Sequence, residues 1–265
     1  MNLFQSFLLG ILQGLTEFIP VSSTAHLLIA QKLLGIPADD ATFSFLVIVQ
    51  LGTILSLFVF YWKDLLAIAK ATFDFRHSTP ERNLGFYLLL ATIPALLAGY
   101  LLKDAVETLF KQPMLEASIR LLAAAVLLTL AEWLTKKNRA LDSMAWLDAL
   151  FIGVMQIIAV FPGASRSGTT IAGGMFRGFD RPSAARFAFL MSVPVMLAAG
   201  GYEMLDVIQM PNLGSFLPLL AVGFVTAAVV GWFAVKWLIG YLGKHSLYAF
   251  AIYCAALGVI TLLLR

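Results

Sequence analysis

Long apolar runs leave this chain one environment in which to fold, the lipid bilayer. A helix needs roughly 20 apolar residues to cross a hydrocarbon core about 30 Å thick. The sequence supplies six runs of about this length, at residues 43–62, 86–102, 117–134, 187–204, 216–238 and 247–264. Because 60% of the residues are hydrophobic and only 12% are charged, the chain is predicted to be an all-α polytopic membrane protein.

Charge and cysteine content exclude several other classes of protein. The formal net charge is only +3, and the basic residues fall mostly in short connections, so no nucleic-acid-binding arm is expected. Cys254 is the single cysteine, which excludes an intramolecular disulfide and a cysteine-rich metal cluster.

The first 35 residues do not form a simple span. Gln13 and Glu17 interrupt an apolar helix, and Pro20 ends it because the residue before a proline is disfavoured in helical geometry. The next apolar leg, residues 24–34, is roughly 16 Å long at 1.5 Å per residue and cannot cross the bilayer. Residues 3–35 are therefore predicted to form a re-entrant helical hairpin whose tip lies near the midplane.

A weak internal repeat gives this hairpin a counterpart in the second half of the chain. The Gly-x-x-Gln at residues 10–13, followed by Pro20, recurs at residues 153–156, followed by Pro162. Each copy would hold one hairpin and three spans, and an odd number of spans places the copies in opposite orientations, as in many transporters. The predicted units of this inverted repeat are residues 1–145, with the hairpin 3–35, and residues 146–265, with the hairpin 148–176.

The basic residues set the predicted orientation. Most of the 18 lysines and arginines lie in connections on one side, including those within residues 63–82, 136–139 and 177–186. The positive-inside rule places these connections in the cytoplasm and both termini outside. The first hairpin is then expected to enter from the outer face and the second from the cytoplasm.

The first hairpin carries an acidic residue that a membrane interior rarely holds. Gln13 and Glu17 are four residues apart and share one helix face. A carboxylate at this depth requires a partner or a metal ion, and the alternative is a buried polar pair that packs two helices.

Hydroxyls and a histidine follow at the start of the returning helix. Any one of Ser22, Ser23 and Thr24 would be an ordinary helix cap, but three in succession exceed what one cap requires. Exposed amides at such a helix start bind oxyanions such as phosphate. His26 lies within one turn of Ser23 and is near enough to act as a base, an acid or a nucleophile.

The second hairpin tip combines a glycine-rich turn with a guanidinium. Residues 162–168 read Pro-Gly-Ala-Ser-Arg-Ser-Gly, and a turn of this kind can point several backbone amides at an anion. Arg166 adds permanently charged, bidentate contacts to phosphate oxygens. Together the two tips offer carboxylate, hydroxyl, imidazole and guanidinium groups, which is the set that phosphoryl transfer needs.

At these residues the chain resembles the bacitracin-resistance family of undecaprenyl-diphosphate phosphatases. One family signature is a (Glu/Gln)-x-x-x-Glu segment that runs into Pro-Val-Ser-Ser-Thr-x-His, found here at residues 13–26. The other is Pro-Gly-x-Ser-Arg-Ser-Gly, found here at residues 162–168. Many members carry Glu where this chain has Gln13, and a neutral amide there can bind metal or water only through its oxygen and cannot act as a base.

The resemblance implies a hydrolase that removes the terminal phosphate of undecaprenyl diphosphate and so recycles the lipid carrier for peptidoglycan and other cell-wall polymers. It also implies a divalent cation, Mg or Ca, and a multi-pass protein of the bacterial inner membrane whose site opens to the periplasmic face. The lipid substrate and membrane lipid are the expected partners, with a homodimer as one candidate assembly.

The hypothesis for the mechanism is in-line attack by Ser23 on the terminal phosphorus, assisted by His26. Arg166 would stabilise the phosphate oxygens, and Glu17, assisted by Gln13, would coordinate the metal. The reverse assignment, with His26 as nucleophile or as activator of water, stays open. Substrate-binding residues are expected among Gln13, Ser22, Thr24, Gly163, Ser165, Ser167 and Thr170.

Two other functions remain alternatives. A lipid transporter or flippase would share the inverted repeat and broken helices. The second is a lipid phosphatase of the type-2 phosphatidic-acid-phosphatase superfamily. Ser-Ser-Thr-Ala-His at residues 22–26 is loosely like the Ser-Gly-His element of that group, but its Lys-rich lead motif and its distal Arg/His motif are not apparent here. Arg120 and Glu132, near the two ends of the run 117–134, are expected to be interfacial.

Overall fold

Helices make up all the extended regular structure in the part of the chain that the structure describes. The computed structural model describes residues 1–37, 39–74, 76–77, 79–102, 113–160, 165–209 and 213–264. The helices are α1 (Leu3–Thr16), α2 (Ser23–Leu33), α3 (Asp40–Phe60), α4 (Trp62–Phe73), α5 (Pro80–Leu101), α6 (Pro113–Leu134), α7 (Trp146–Ile157), α8 (Arg166–Phe176), α9 (Arg181–Ile208), α10 (Leu213–Leu242) and α11 (Tyr248–Leu263).

Four of these helices are long and apolar enough to cross a membrane: α3, α5, α6 and α10. They contain the predicted spans at 117–134 and 216–238 and nearly all of those at 43–62 and 86–102. The predicted span 187–204 lies within the 28-residue helix α9. The last predicted span corresponds to α11, which has only 16 residues. The predicted multi-pass, all-α membrane architecture is confirmed at this level.

Both predicted hairpins consist of two short helices joined by a break. In the first, α1 ends at Thr16 and α2 begins at Ser23, so the irregular backbone covers Glu17 to Ser22. In the second, α7 ends at Ile157, a single 3-10 turn covers Ile158–Val160, and α8 begins at Arg166. Residues 161–164 of this tip, including Gly163, lie outside the described residues.

The leading helix of each hairpin packs against a long helix from the other half of the chain. Helix α1 lies on α10, and a Cβ added at Gly10 would sit 2.7 Å from the carbonyl oxygen of Gly223. Helix α7 lies on α5, and a Cβ at Gly153 would collide with the carbonyl oxygen of Ala91. The Gly10 and Gly153 positions therefore allow backbone-to-backbone approach between the two halves.

Helix α4 was not predicted. Helix α3 ends at Phe60. The next residue, Tyr61, has a φ of −105° and a ψ of 20°, which lie outside the helical region, and the 12-residue helix α4 follows it. Its surface exposes large apolar side chains, including Trp62, Leu66 and Phe73, and Asp64 pairs with Arg186 of α9 at 2.9 Å. This amphipathic pattern is typical of a helix that lies along a membrane interface.

Two buried carboxylates join helices where α6 ends and α7 begins. Glu132 accepts from Arg181 Nε at 2.6 Å and from the backbone N–H of Leu247 at 2.7 Å. Asp148 accepts from Arg139 Nη2 at 2.7 Å and from Arg177 Nε at 2.6 Å. Glu132 lies in the last turn of α6, near the end of the span as expected, but its carboxylate is buried in protein and its hydrogen bonds connect α6, α9 and the connection before α11.

Candidate active site

Glu17 is the centre of a buried polar cluster that draws on both hairpins. Its Oε2 accepts from Gln13 Nε2 at 2.7 Å and from Ser23 Oγ at 2.7 Å. Its Oε1 accepts from Arg166 Nη2, which forms an ion pair across 149 residues of sequence. The side chain of Glu17 is only 3% exposed, and this set of donors explains how a carboxylate is held there.

The cluster opens into a cavity of about 150 Å³. Its walls come from the turn and start of α2, from α3, α6 and the region before α8. The lining residues are Glu17, Ser22, Ser23, Thr24, Gln50, Arg120, Ala159, Ser165 and Arg166. The two predicted motifs therefore meet at one cavity, with acid, hydroxyl and guanidinium groups on its surface.

His26 points its imidazole toward α11. His26 Nδ1 lies 2.8 Å from the backbone carbonyl oxygen of Ser22, and Nε2 lies 2.7 Å from the hydroxyl of Tyr253. A carbonyl can only accept, so Nδ1 carries the proton, and in the neutral ring Nε2 accepts from Tyr253. Ser23 thus donates to Glu17, while both ring nitrogens of His26 have other partners.

Ser22 holds an unusual backbone conformation beside the candidate nucleophile. Its φ of 66° lies in the left-handed region, which a serine adopts at a cost. Its side chain makes no capping hydrogen bond to α2, so the hydroxyls of this turn are not used as the ordinary helix cap. The first amides of α2 therefore lie next to the cavity without a cap from the Ser22 side chain, as an oxyanion site requires.

At the second tip only part of the predicted set reaches the cavity. Ser165 lines it and also caps α8, since its Oγ accepts from the N–H of Gly168 at 3.2 Å. Ser167 Oγ lies 3.1 Å from Ser165 Oγ, and Thr170 Oγ1 donates to the carbonyl oxygen of Arg166 at 2.8 Å. Neither Ser167 nor Thr170 is a lining residue, so they support the α8 start and do not face the cavity.

Arg120 contradicts the expectation that it is interfacial. It is 5% exposed and lines the cavity from α6. The helix begins at Pro113, earlier than the predicted run, which places Arg120 two turns inside it. Gln50 of α3 was also missed, because a single glutamine in a long apolar run carries no motif that would single it out.

Oxygen ligands suited to a divalent cation are present at Glu17 and Gln13. Within the described ranges, no three His, Cys, Asp or Glu side chains form a group that could hold a metal. Mg²⁺ instead commonly takes one or two protein carboxylates together with substrate phosphates and water. Gln13 Oε1 is buried without a hydrogen-bond partner among the described residues, and its own amide is bonded to Glu17, so the residues present fit such a site.

Comparisons with known proteins identify relatives over nearly the whole chain. The family model described as Bacitracin resistance protein BacA matches residues 6–260. A protein of Chlorobium phaeobacteroides (strain BS1) named undecaprenyl-diphosphatase is 41% identical, over 98% of this chain and 95% of that relative.

Further relatives carry the same name. One from Chloroherpeton thalassium is 40% identical, over 99% of this chain and 96% of the relative. One from Anaeromyxobacter sp. (strain K) is 41% identical, over 97% of this chain and 90% of the relative. The matches span both hairpins and every long helix, and the chain therefore belongs to the bacitracin resistance protein BacA family.

Proposed function

We propose that this protein hydrolyses undecaprenyl diphosphate to undecaprenyl phosphate and inorganic phosphate. The observation that carries this function is the meeting of Glu17 and Ser23 from the first hairpin with Arg166 from the second at one buried cavity. The reaction recycles the lipid carrier for peptidoglycan synthesis, and an organism that recycles it faster resists bacitracin. The names of the relatives support the same activity.

The hydrogen bonds around Ser23 favour it as the nucleophile. Ser23 Oγ would attack the terminal phosphorus while its proton passes to Glu17, which is already its hydrogen-bond acceptor at 2.7 Å. The bond from that phosphorus to the bridging oxygen breaks, and undecaprenyl phosphate leaves with the oxygen. Water then hydrolyses the phosphoserine, which gives inorganic phosphate and restores the Ser23 hydroxyl.

Positive charge around the cavity would stabilise the transferred phosphoryl group. Arg166 donates to Glu17, which also accepts from Ser23, so its guanidinium would bind the equatorial oxygens of the terminal phosphate. The first amides of α2 add dipoles of the same sign. His26 acts on the reaction indirectly, because its ring accepts from Tyr253 and donates to the carbonyl oxygen of Ser22. Its role is to hold the turn that carries Ser23.

Glu17 and Gln13 would hold the divalent cation, Mg or Ca. Gln13 Oε1 and the Glu17 carboxylate would be its protein ligands. A cation bound there supplies neutralisation of charge on the phosphate oxygens.

The orientation of the repeat and of the site also belongs to this proposal. Gly10 and Gly153, matching residues of the two hairpins, each press on a long helix of the other half. Gln13 and Gln156 also match, and both are buried. These correspondences support an inverted repeat with units 1–145 and 146–265. The distribution of basic residues supports a site in the bacterial inner membrane that opens to the periplasmic face.

Release of inorganic phosphate from undecaprenyl diphosphate by the purified protein tests the proposed function. Phosphate release that is lost with a chelator and restored by Mg²⁺ or Ca²⁺ is the expected result. A lipid transporter or flippase would instead move the lipid across vesicle bilayers and release no phosphate with the metal present. Release that persists at full rate after exhaustive chelation would remove the metal from the proposal but keep the hydrolase.

A further inference from the structure

We infer that Arg120 is a second phosphate-binding residue, which takes the lipid-linked phosphate while Arg166 takes the terminal one. This inference rests on the proposed function, because it divides one diphosphate between two arginines of the same cavity. Arg120 is not part of either sequence motif, and it reaches the cavity from α6, a helix that supplies no other lining residue.

Arg120 is a buried cation on the wall of the cavity. A guanidinium inside a membrane helix is costly to place, and such groups mark substrate pathways or pair with an opposite charge. Arg120 is 5% exposed, lies two turns inside α6 and lines the cavity. Glu116, one turn earlier on the same helix, interacts with it electrostatically, so the pair is tolerated in the membrane before any ligand arrives.

The second step is the division of the two phosphates. Arg166 is bonded to Glu17, which also accepts from Ser23, so Arg166 belongs with the phosphate that is attacked. Among the described residues that line the cavity, Arg120 and Arg166 are the cationic ones and Glu17 is the acidic one. A diphosphate carries negative charge on both phosphorus centres. With Arg166 at the terminal phosphate, the second described cation of the lining, Arg120, would bind the lipid-linked phosphate and stabilise the charge that develops on the bridging oxygen.

Two ligands distinguish the phosphate-binding roles of Arg120 and Arg166 in a binding measurement that needs no catalysis. Farnesyl phosphate carries only the lipid-linked phosphate, and inorganic phosphate reports the terminal subsite. Binding of each is measured to the purified full-length protein in detergent, with the metal held constant. Arg120→Gln is expected to weaken farnesyl phosphate by about 10- to 100-fold, the effect of losing a hydrogen bond to a charged group. The same variant is expected to bind inorganic phosphate nearly as well as the wild type.

Matched variants keep the test decisive. Arg166→Gln is expected to show the opposite pattern, with the larger loss for inorganic phosphate. If Arg120→Gln does not fold because Glu116 is left buried without its counterion, the double variant Glu116→Gln/Arg120→Gln removes both charges. Glu116→Gln alone is expected to leave both affinities unchanged, since it keeps the guanidinium.

The outcomes separate this inference from the proposed function. Equal losses for the two ligands in Arg120→Gln, or no loss for farnesyl phosphate, would overturn the assignment of Arg120. A wild-type protein that binds both ligands but releases no phosphate from undecaprenyl diphosphate would refute the hydrolase, while the selective loss would still establish Arg120 as a phosphate-binding residue. A wild-type protein that binds neither ligand would overturn the assignment of Arg120, while the hydrolase is decided separately by phosphate release from undecaprenyl diphosphate.

Discussion

The Glu17 carboxylate has three side-chain donors, and only one of them is a hydroxyl. Ser23→Ala removes that hydroxyl and leaves Glu17 with Gln13 and Arg166 as partners. Since Ser23 is the proposed nucleophile, phosphate release is expected to fall by at least about 1,000-fold. The measurement is the rate of phosphate release from undecaprenyl diphosphate by purified variants at saturating substrate.

Ser192→Ala is the matched control for this prediction. Ser192 is also a buried serine in a helix, and its hydroxyl donates to the carbonyl oxygen of Ala188 at 2.9 Å, away from the cavity. Its activity is expected to stay close to that of the wild type. If Ser23→Ala kept a rate within about tenfold of the wild type, the attack by Ser23 would be wrong and direct attack by water would replace it.

Tyr253 donates to His26 Nε2, while the Ser22 carbonyl oxygen holds the proton on Nδ1. Tyr253→Phe removes the donor to Nε2, so the Nε2 signal of His26 is expected to shift while the proton stays on Nδ1. Nitrogen NMR of protein labelled at histidine measures this shift, and His77 and His245, the other two histidines, serve as internal references. Phosphate release is expected to fall by about two- to tenfold, since the turn around Ser22 loses part of its support.

A Tyr100→Phe variant shows whether the loss of any tyrosine hydroxyl has this effect. Tyr100 is 84% exposed on α5, and both the NMR signals and the activity are expected to match those of the wild type. An unchanged His26 spectrum in Tyr253→Phe would contradict the hydrogen bond from Tyr253 to Nε2.

The residues that the sequence predicted well are those whose chemistry is written locally. Glu17 stands out because it interrupts an apolar helix, and Arg166 because it lies between glycines and serines far from other charges. Tyr253 could not be predicted, since its contact with His26 joins residues 227 positions apart and leaves no pattern in either helix. Arg120 was misplaced because the apolar run begins after the helix does, so the residue looked closer to the end than it is.

At the scale of helices, the contact between the two halves depends on small residues. Gly10→Ala and Gly153→Ala each place a Cβ against the backbone of a neighbouring long helix. Either substitution is expected to destabilise the protein by about 1–3 kcal/mol, the usual cost of overpacking. Thermal unfolding in detergent, followed by loss of the folded monodisperse peak, measures the change.

Gly99→Ala provides the comparison within a long helix. Gly99 lies in α5, and a Cβ there would meet no atom within 4 Å among the described residues. Alanine favours a helix over glycine by up to about 1 kcal/mol, so this variant is expected to be as stable as the wild type or more so. Equal destabilisation by all three variants would mean that the glycines matter for helix flexibility and not for close approach.

The helices whose limits follow from length and hydropathy were predicted, and the features that depend on contacts with distant parts of the chain were not. The broken helices around Pro20 and Pro162 were predicted from the proline, the short legs and the polar tips, and α1, α2, α7 and α8 follow those limits. Helix α4 was missed because its apolar side chains occupy only a short segment. Its first residue, Trp62, had been assigned to the predicted span at residues 43–62. The partners of Glu132 could not be predicted, because Arg181 and the Leu247 amide come from distant parts of the chain.

At the scale of the whole molecule, the site exists only when both halves are in place. Ser23 and Glu17 come from the first hairpin and Arg166 from the second, and the ion pair between them is buried. Removing either half therefore leaves an incomplete cavity and an uncompensated buried charge. The packing of α1 on α10 and of α7 on α5 joins the two halves along the same helices that hold the tips.

The orientation of this assembly is testable with single cysteines. Cys254 is buried, so a Cys254→Ser background offers a chain without reactive thiols, into which one exposed lysine at a time is changed to cysteine. Lys32, in the last turn of α2, is predicted to lie outside, and Lys136, after α6, inside; both are exposed. An impermeant maleimide applied to intact spheroplasts is then expected to label Lys32→Cys at once and Lys136→Cys only after permeabilisation.

The predicted labelling pattern follows from the distribution of basic residues and not from the fold, because an inverted repeat is compatible with either orientation in the membrane. Several basic residues on the predicted inner side also pair with buried carboxylates: Arg139 and Arg177 with Asp148, and Arg181 with Glu132. Their position can therefore reflect these ion pairs as well as the orientation of the protein. If Lys136→Cys reacts in intact spheroplasts while the protein remains active, these arginines are structural partners first, and the first hairpin enters from the cytoplasm. A site that opens outward instead requires both labels to fall as predicted, since Ser23 at the start of α2 and Lys32 in its last turn belong to the same short helix.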